Sequence, residues 1–172
     1  MESSPRFLSD AQLLAQCRTD VFRGPGPGGQ KRNKTSNSVR LTHEPTGITV
    51  IAGESRSLAE NKSRALRRMR LKLSADLREP LDVAGFSPPD WFLEIRRNGR
   101  IEASHRHPFY AAAGGLVLDL LHAMAGNPAS VAAMLGVSTT TVIRLLEAEA
   151  QWWTAANAIR QRLSMSPLTH RR

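Results

Sequence analysis

Residues 38–52 read SVRLTHEPTGITVIA, and this stretch carries the signal of a β-hairpin. Val39 and Leu41 alternate with polar residues over its first six positions, which is typical of a half-buried strand. Glu44–Gly47 has the composition of a turn, and Ile48–Ala52 predicts the returning strand. The sequence therefore predicts a small antiparallel sheet in the N-terminal half of the chain.

The residues that follow the hairpin change to the apolar period of a helix. A helix is predicted from Ser57 to about Leu77, with Ser57 as its N-cap and Glu60 as the capping-box partner. One face of this helix carries the apolar residues Leu58, Ala65, Leu66, Met69, Leu73 and Leu77. Burying that face against the hairpin gives an α+β domain in which a short β-sheet packs on one long helix.

The residues before the hairpin include a segment rich in glycine and proline that cannot be regular structure. Residues 24–29 read GPGPGG and are followed by Gln30. Two elements are predicted ahead of them, a short helix from Ser9 to about Cys17 and a strand at Thr19–Arg23. Backbone N–H groups in such a loop can bind an oxyanion, and the cations that follow, Lys31, Arg32 and Lys34, can hold phosphates.

Two other structures are compatible with a glycine-rich segment. A phosphate-binding loop of nucleotide enzymes needs the Walker spacing and a helix after it, whereas here a strand is predicted to follow. A flexible linker is not expected between defined strands or beside a dense basic run. Both alternatives therefore fit the sequence less well than a loop that approaches a ligand.

The charge of the chain indicates a polyanionic partner. The formal net charge is +9, from 24 Lys and Arg against 15 Asp and Glu. Residues 1–85 carry 15 Lys and Arg against 9 Asp and Glu, while residues 86–172 carry 9 against 6. Nucleic acid is the first candidate and an anionic membrane surface is the second. The first half of the chain is expected to be the stronger binder.

Cysteine content and hydropathy indicate the cellular location. The single cysteine, Cys17, excludes an intrachain disulfide and is typical of a reducing compartment. The N-terminus lacks the pattern of a signal peptide, and no apolar run approaches the roughly 20 residues that cross a bilayer. A cytoplasmic location is therefore expected. His105 and His107 have no further ligands nearby, so neither a metal nor a cofactor is expected.

From Arg23 to about Leu73 the sequence resembles the catalytic (GGQ) domain of bacterial class I peptide chain release factors and their ribosome-rescue relatives. The shared residues keep one order and include Gly-Pro-Gly-Gly-Gln at 26–30, Asn33, Val39-Arg40-Leu41-Thr42-His43, Pro45-Thr46-Gly47-Ile48, Val50, Arg56-Ser57, Asn61 and Ala65. A lone Gly-Gly-Gln is a weak signal, whereas this ordered series is highly specific. The resemblance implies a GGQ catalytic domain at residues 1–82.

The family's activity, carried over by this resemblance, is hydrolysis of peptidyl-tRNA in the peptidyl transferase centre of the ribosome. The resemblance assigns Gly28, Gly29 and Gln30 as catalytic residues, with the backbone N–H of Gln30 stabilising the oxyanion. It also makes Gln30 a candidate for N5-methylation by a glutamine methyltransferase. Only residues 1–27 precede Gly28, too few for a codon-reading domain. We therefore expect the short, codon-independent type that rescues stalled ribosomes.

The partners implied by the resemblance are large-subunit ribosomal RNA and peptidyl-tRNA. The residues expected to contact RNA are Arg23, Lys31, Arg32, Asn33, Lys34, Thr35, Arg40, Arg56, Arg64, Arg67 and Arg68. For any single arginine on the helix, ordinary solvation is the alternative. His43 is expected to be a structural or RNA-contacting residue rather than a general base. A non-catalytic factor that keeps the loop only for docking is the alternative for the whole chain.

The C-terminal half predicts a mostly α-helical domain. A boundary is predicted between residues 82 and 90, where prolines and a glycine interrupt the helical pattern, and the domain is placed at 90–166. Short strands at Trp91–Ile95 and Arg100–Ala103 are predicted around Asn98-Gly99. Helices are predicted at Tyr110–Ala125, Pro128–Leu135, Thr139–Ala150 and Trp152–Leu163.

Residues 128–147 fit the spacing of a helix-turn-helix. Gly136-Val137-Ser138 makes the predicted turn, with Ser138 as the cap of the second helix. That helix carries Arg144 but also Glu147, which is little positive charge for binding to DNA. Contact with ribosome, tRNA or protein is therefore favoured, and a DNA-binding regulator is the less favoured alternative.

Overall fold

The computed structural model describes residues 4–23 and 37–170. The chain divides into two compact units, residues 1–73 and 74–172. A small sheet and several helices are present, which confirms the α+β class. The domain boundary predicted between residues 82 and 90 stays a prediction.

The described part of the first unit consists of a three-stranded antiparallel sheet and two helices. Its elements are α1 (Asp10–Ala15), β1 (Cys17–Phe22), β2 (Ser38–His43), β3 (Thr49–Ala52) and α2 (Leu58–Asp76), whose last residues fall in the second unit. The strand order is β1-β2-β3, so the predicted hairpin of β2 and β3 is confirmed. Phe22 pairs with Ser38 where β1 ends and β2 begins.

The core of the first unit is formed by one face of the sheet and one face of α2. Its fully buried apolar side chains are Leu13, Val39, Leu41, Ala52, Ala65, Met69 and Leu73. The predicted apolar face of α2 is therefore largely confirmed, but Leu58 is 42% exposed. Leu58 is the first residue of α2, and the buried position of that turn is taken by Asn61.

At the start of α2, one part of the predicted capping box is present and the other is not. Ser57 Oγ accepts a hydrogen bond of 3.3 Å from the backbone N–H of Glu60, so the predicted cap is confirmed. The predicted reciprocal hydrogen bond of the capping box, from the N–H of Ser57 to the Glu60 side chain, is wrong. The N–H of Ser57 donates to Ser55 Oγ at 3.1 Å, and the Glu60 carboxylate accepts from Ser55 and Arg64.

The described part of the second unit consists mainly of helices. Its elements are α3 (Asp90–Ile95), β4 (Arg96–Arg97), β5 (Arg100–Ile101), α4 (Tyr110–Ala123), α5 (Pro128–Leu135), α6 (Thr139–Glu147) and α7 (Ala150–Arg162). The hairpin at Asn98-Gly99 is confirmed, with positive φ at both residues as a tight two-residue turn requires. The strand predicted at Trp91–Ile95 is wrong. That segment is α3, because Phe92 and Ile95 are buried at helical spacing.

The core of the second unit is organised around Trp152, which is fully buried. Its indole Nε1 donates to Ser74 Oγ at 2.8 Å. A Cβ added at Gly114 of α4 would lie 2.3 Å from the Trp152 ring, so the glycine makes room for the indole. This confirms that one tryptophan of the Trp152-Trp153 pair packs in the core. Trp153 stays half-buried.

A buried ion pair closes the end of α2. Asp119 of α4 is 3% exposed and accepts from Arg78 Nη1 at 3.0 Å and from the N–H of Glu79 at 3.2 Å. Arg78 also donates to the backbone carbonyls of Ser74 and Ala75 in the last turn of α2. The charge that interrupts the apolar α4 sequence is thus compensated within the unit.

Helices α5 and α6 change direction by 108° across the three-residue turn at 136–138. Gly136 adopts the left-handed conformation at the end of α5, and Ser138 Oγ accepts from the N–H of Thr141 at 3.1 Å, which confirms the predicted cap. The helix-turn-helix interpretation itself stays a prediction. Within the described ranges no single helix is long and apolar enough to cross a membrane; only this bent pair, taken together, meets that test of length and composition.

Candidate functional site

The predicted catalytic loop connects the paired ends of β1 and β2. We call residues 24–36 the glycine-rich segment. The predicted catalytic residues Gly28, Gly29 and Gln30 belong to it and lie outside the described residues. So do the predicted RNA contacts Lys31, Arg32, Asn33, Lys34 and Thr35. The site can therefore be built from the residues that flank this segment in the sheet and on α2.

Asn61 holds the chain where the glycine-rich segment rejoins the sheet. Its Nδ2 donates to the backbone carbonyl of Asn37 at 2.7 Å and to that of Ser55 at 2.8 Å. Its Oδ1 accepts from the N–H of Ser55 at 3.0 Å. The side chain is fully buried, so both amide protons and the oxygen are satisfied inside the protein.

The role of Asn61 was not predicted from the sequence. The available signal was a polar residue on the otherwise apolar face of α2, one helical turn before Ala65. A buried amide at such a position needs specific partners, because an unpaired one costs free energy. The structure identifies those partners as backbone groups of Asn37 and Ser55.

Two predicted RNA-contacting arginines lie at the sheet end from which the glycine-rich segment leaves. Arg23 is exposed and directly follows β1. Arg40 is exposed on β2, and its guanidinium lies 5.1 Å from the ring centre of Phe22. A cation over an aromatic face is held in place while its charge remains available to an anion. These two side chains put positive charge on and directly after the paired strands β1 and β2.

The basic face of α2 is partly neutralised. Arg64 forms an ion pair with Glu60 one turn earlier. Arg68 pairs with Glu54 at 2.7 Å and also donates to the carbonyl of Ile51. The hydrogen bond from Arg68 lowers the pKa of Glu54 below its ordinary value, so this carboxylate stays charged. The two arginines therefore have acidic partners within the protein.

Arg56 and Arg67 differ from those two arginines. Both are exposed, and neither has an ion-pair partner among the described residues. Unpaired guanidinium groups bind phosphate without first losing an internal partner. Of the four predicted contacts on and before α2, Arg56 and Arg67 are thus the better placed for RNA.

His43 has a structural environment. It is 2% exposed, its Nδ1 lies 2.8 Å from Thr46 Oγ1, and its Nε2 lies 3.1 Å from Gln16 Oε1. Burial lowers the pKa of the imidazole, which favours the neutral form. Both nitrogens are occupied, so the ring ties the turn after β2 to the end of α1. This agrees with the structural option predicted for it and not with an RNA contact.

Among residues 4–23 and 37–170, no group of three or more His, Cys, Asp or Glu is placed to hold a metal ion. The surroundings of the glycine-rich segment are instead a buried amide anchor and a set of exposed cations. Such a frame can present backbone N–H groups to an anionic ligand.

Comparison with known proteins assigns this frame to a family. The RF-1 domain family matches residues 13–82, which include β1, the glycine-rich segment, β2, β3 and α2. We refer to residues 13–82 below as the RF-1 domain because they match this family. The match supports the predicted resemblance to the catalytic-domain family of class I release factors.

Individual relatives match over the RF-1 domain. Peptide chain release factor 1 of Parafrankia sp. (strain EAN1pec) is 46% identical over 67 residues, which are 39% of this chain and 19% of the relative. Peptide chain release factor 2 of Saccharopolyspora erythraea is 43% identical over 83 residues, which are 46% of this chain and 23% of the relative. Peptide chain release factor 1 of Anaplasma marginale (strain Florida) is 52% identical over 56 residues, which are 33% of this chain and 16% of the relative.

The similarity is therefore confined to one part of each protein. The chain spans about a fifth of the length of these curated relatives. Asn61, Arg56 and Arg67 all lie within the RF-1 domain, whereas α3 to α7 lie outside it.

Proposed function

We propose that this chain hydrolyses the ester bond of peptidyl-tRNA in the peptidyl transferase centre of the ribosome, independently of a stop codon. The observation that carries the proposal is the RF-1 domain at 13–82, in which Gly28-Gly29-Gln30 is intact. Relatives named as peptide chain release factors support a role in translation termination. The proposed role is the rescue of stalled ribosomes, in the cytoplasm.

The proposed reaction is attack of water on the ester carbonyl that joins the peptide to the tRNA 3′ ribose. It yields a free peptide carboxylate and restores the ribose hydroxyl. The backbone N–H of Gln30 would donate to the developing oxyanion, and one such donor contributes about 3–4 kcal/mol in the transition state. The Gln30 side chain would orient the water. Gly28 and Gly29 would leave the backbone free to approach the ester.

Cations around the RF-1 domain support binding to ribosomal RNA and peptidyl-tRNA. Arg23 directly precedes the glycine-rich segment in the sequence, Arg40 is exposed on β2, and Lys31, Arg32 and Lys34 belong to the segment. Arg56 and Arg67 add exposed charge without an ion-pair partner among the described residues. Each phosphate contact of this kind releases counterions, so binding should weaken steeply with salt. A glutamine methyltransferase that modifies Gln30 is a further proposed partner.

The proposal is tested with ribosomes stalled at the end of a truncated mRNA and carrying labelled peptidyl-tRNA. The wild-type chain should release the peptide from these ribosomes. In separate complexes whose A site holds a codon, the release rate should be the same for a sense codon and for a stop codon. Gln30→Pro removes the proposed N–H donor and should slow release by about 10²–10³-fold. Gly29→Ala and Gln30→Ala should also be much slower than wild type.

Gln161→Ala is the matched control, because Gln161 is an exposed glutamine on α7, outside the RF-1 domain. It should release peptide at the wild-type rate. Wild-type release by Gln30→Pro and Gly29→Ala would contradict catalysis by this loop. If the chain bound ribosomes without hydrolysis, the alternative of a non-catalytic ribosome-binding factor would hold.

A second candidate function concerns residues 128–147. The 108° change of direction between α5 and α6 and the turn with Gly136 are typical of a helix-turn-helix. Sequence-specific DNA binding would use the first turns of α6. Selection from a random duplex library tests it: a recovered consensus would support a DNA-binding regulator, and its absence would contradict one.

A further inference from the structure

A groove in the second unit has the lining of a phosphate site. It lies between the β4–β5 hairpin, the residues after β5 and the first turns of α6, and its volume is about 510 Å³. Its polar side chains include Arg100, Ser104, His105, Thr140 and Arg144. They come from three different elements, and a groove of this size can hold a group as large as a nucleotide.

The positive charge of the groove comes from two arginines. Arg100 and Arg144 are exposed, and neither forms an ion pair with any described residue. None of the described residues that line the groove is acidic. Two carboxylates lie next to the lining: Glu102 is 3.9 Å from Arg97, and Glu149 accepts a hydrogen bond of 3.1 Å from the hydroxyl of Tyr110, which lines the groove. Two guanidinium groups therefore line one concave surface, and no described residue of that lining is itself acidic.

Polar groups without charge complete the lining. The Thr140 hydroxyl and the exposed His105 ring make no hydrogen bond to any described side chain. Ile101 and Leu145 provide apolar surface beside them. A mixture of cations, free donors and apolar surface suits a phosphate together with the sugar or base next to it.

The position of the β4–β5 hairpin favours a single strand over a duplex. The carbonyl of Gly99 accepts hydrogen bonds from the N–H of Ser138 at 3.4 Å and from the Thr141 hydroxyl at 3.3 Å. The turn of the hairpin thus packs on the first turn of α6. A recognition helix enters the DNA major groove with its N-terminal residues uncovered, and that groove is only about 12 Å wide. A hairpin at this end of α6 opposes such insertion and leaves a cleft suited to a single strand.

We propose that this groove binds single-stranded RNA, with Arg100 and Arg144 on successive phosphates and Thr140 donating to one of them. His105 lies where its ring can stack on a neighbouring base. The site is separate from the RF-1 domain and does not depend on the hydrolytic activity. It gives the second unit a nucleic-acid contact of its own.

The test is a titration of the full-length chain against a labelled, unstructured RNA of about 12 nucleotides, within the usual site size of single-strand binders. Binding is followed by fluorescence anisotropy at several salt concentrations. Arg100→Ala/Arg144→Ala should raise the Kd by about tenfold and reduce the salt slope by about 1.4, the value for two lost phosphate contacts on a single strand. Thr140→Val should raise the Kd to a smaller extent.

Arg97→Ala is the matched control. Arg97 is an exposed arginine on the same hairpin, but it does not line the groove. It should leave the Kd and the salt slope near wild type. Repeating the double substitution in a Lys31→Ala/Lys34→Ala background separates the groove from the glycine-rich segment. A groove that binds RNA by itself should still lose affinity there when Arg100 and Arg144 are replaced.

Two results would overturn the proposal. The first is a double variant whose Kd and salt slope equal those of Arg97→Ala. The second is tighter binding to duplex DNA than to single-stranded RNA with loss of that DNA binding in the double variant, which would favour the DNA-binding alternative. Arg100→Lys/Arg144→Lys keeps both charges and should retain the wild-type salt slope, which excludes misfolding as the cause of a loss.

Discussion

Asn61 donates a hydrogen bond of 2.7 Å to the backbone carbonyl of Asn37, the first described residue after the glycine-rich segment. The contact joins residues far apart in the sequence, one on α2 and one immediately before β2. The same side chain holds both the N–H and the carbonyl of Ser55. One buried amide therefore fixes the return of the segment into the sheet relative to α2.

Replacement of that amide should destabilise the RF-1 domain. Asn61→Leu would leave the carbonyl of Asn37 and both backbone groups of Ser55 without this partner. The expected loss is about 1–3 kcal/mol in the free energy of unfolding, measured by urea denaturation. Lys62→Ala, at the next and exposed position of α2, is the control and should change little. An unfolding free energy of Asn61→Leu equal to that of wild type would contradict this role.

The two kinds of arginine on α2 should differ in their contribution to ribosome binding. Arg67 has no acidic partner among the described residues, whereas Arg64 is paired with Glu60. Arg67→Ala should therefore weaken binding to large ribosomal subunits and reduce the salt slope by about 0.7–0.9. Arg64→Ala should have a smaller effect, because the Arg64 guanidinium is already held by Glu60 and is less available to a phosphate. Equal losses in a sedimentation binding assay would contradict the distinction.

The contact between Gly114 and Trp152 should set the packing of the second unit. An added Cβ in Gly114→Ala would lie 2.3 Å from the indole ring, so the ring or α4 must shift. Overpacking of this kind costs about 1–3 kcal/mol, which should appear as a lower Tm. Gly85→Ala is the control, since its Cβ would meet only the Asp82 carboxylate at 3.2 Å. A Tm equal to wild type in Gly114→Ala would show that the core accommodates the methyl group.

Stability should depend on pH through His43. Burial holds the pKa of the folded imidazole below its ordinary value of 6.5. As the pH falls below 6.5, the unfolded chain then binds more protons than the folded chain, so the free energy of unfolding decreases until the folded pKa is reached. His43→Gln should lower the stability at neutral pH and reduce its decline between about pH 7.5 and pH 5.5. The same decline in wild type and variant would exclude His43 as its source.

Local sequence signals determined most of the secondary structure. The alternation at Val39 and Leu41 predicted β2, and Ser57 marked the start of α2. The bounds of α5, Pro128–Leu135, agree residue for residue with the prediction. Side-chain period, capping residues and turn glycines act within a few positions along the chain, so one sequence is enough to interpret them.

Core packing and competing hydrogen bonds decided what those signals could not. Trp91–Ile95 has the composition of a strand, yet it forms α3 because Phe92 and Ile95 reach the core from one face of a helix. Glu60 has the spacing of a capping-box partner, yet its carboxylate is taken by Ser55 and Arg64. For α3, burial in the core outweighed a weak local preference for a strand. For Glu60, two competing hydrogen bonds to nearby side chains replaced the capping box.

The sequence by itself determined that residues 13–82 match the RF-1 domain family, because the order of the residues around Gly28-Gly29-Gln30 can be compared with that family without coordinates. Only the tertiary structure decided that Asn61 anchors Asn37, that Arg67 is unpaired among the described residues while Arg64 is not, and that Arg100 and Arg144 line one groove. The physical reason is that a motif consists of residues at fixed spacings along the sequence. A hydrogen-bond partner, an ion pair or a shared groove depends on which distant side chains folding brings together.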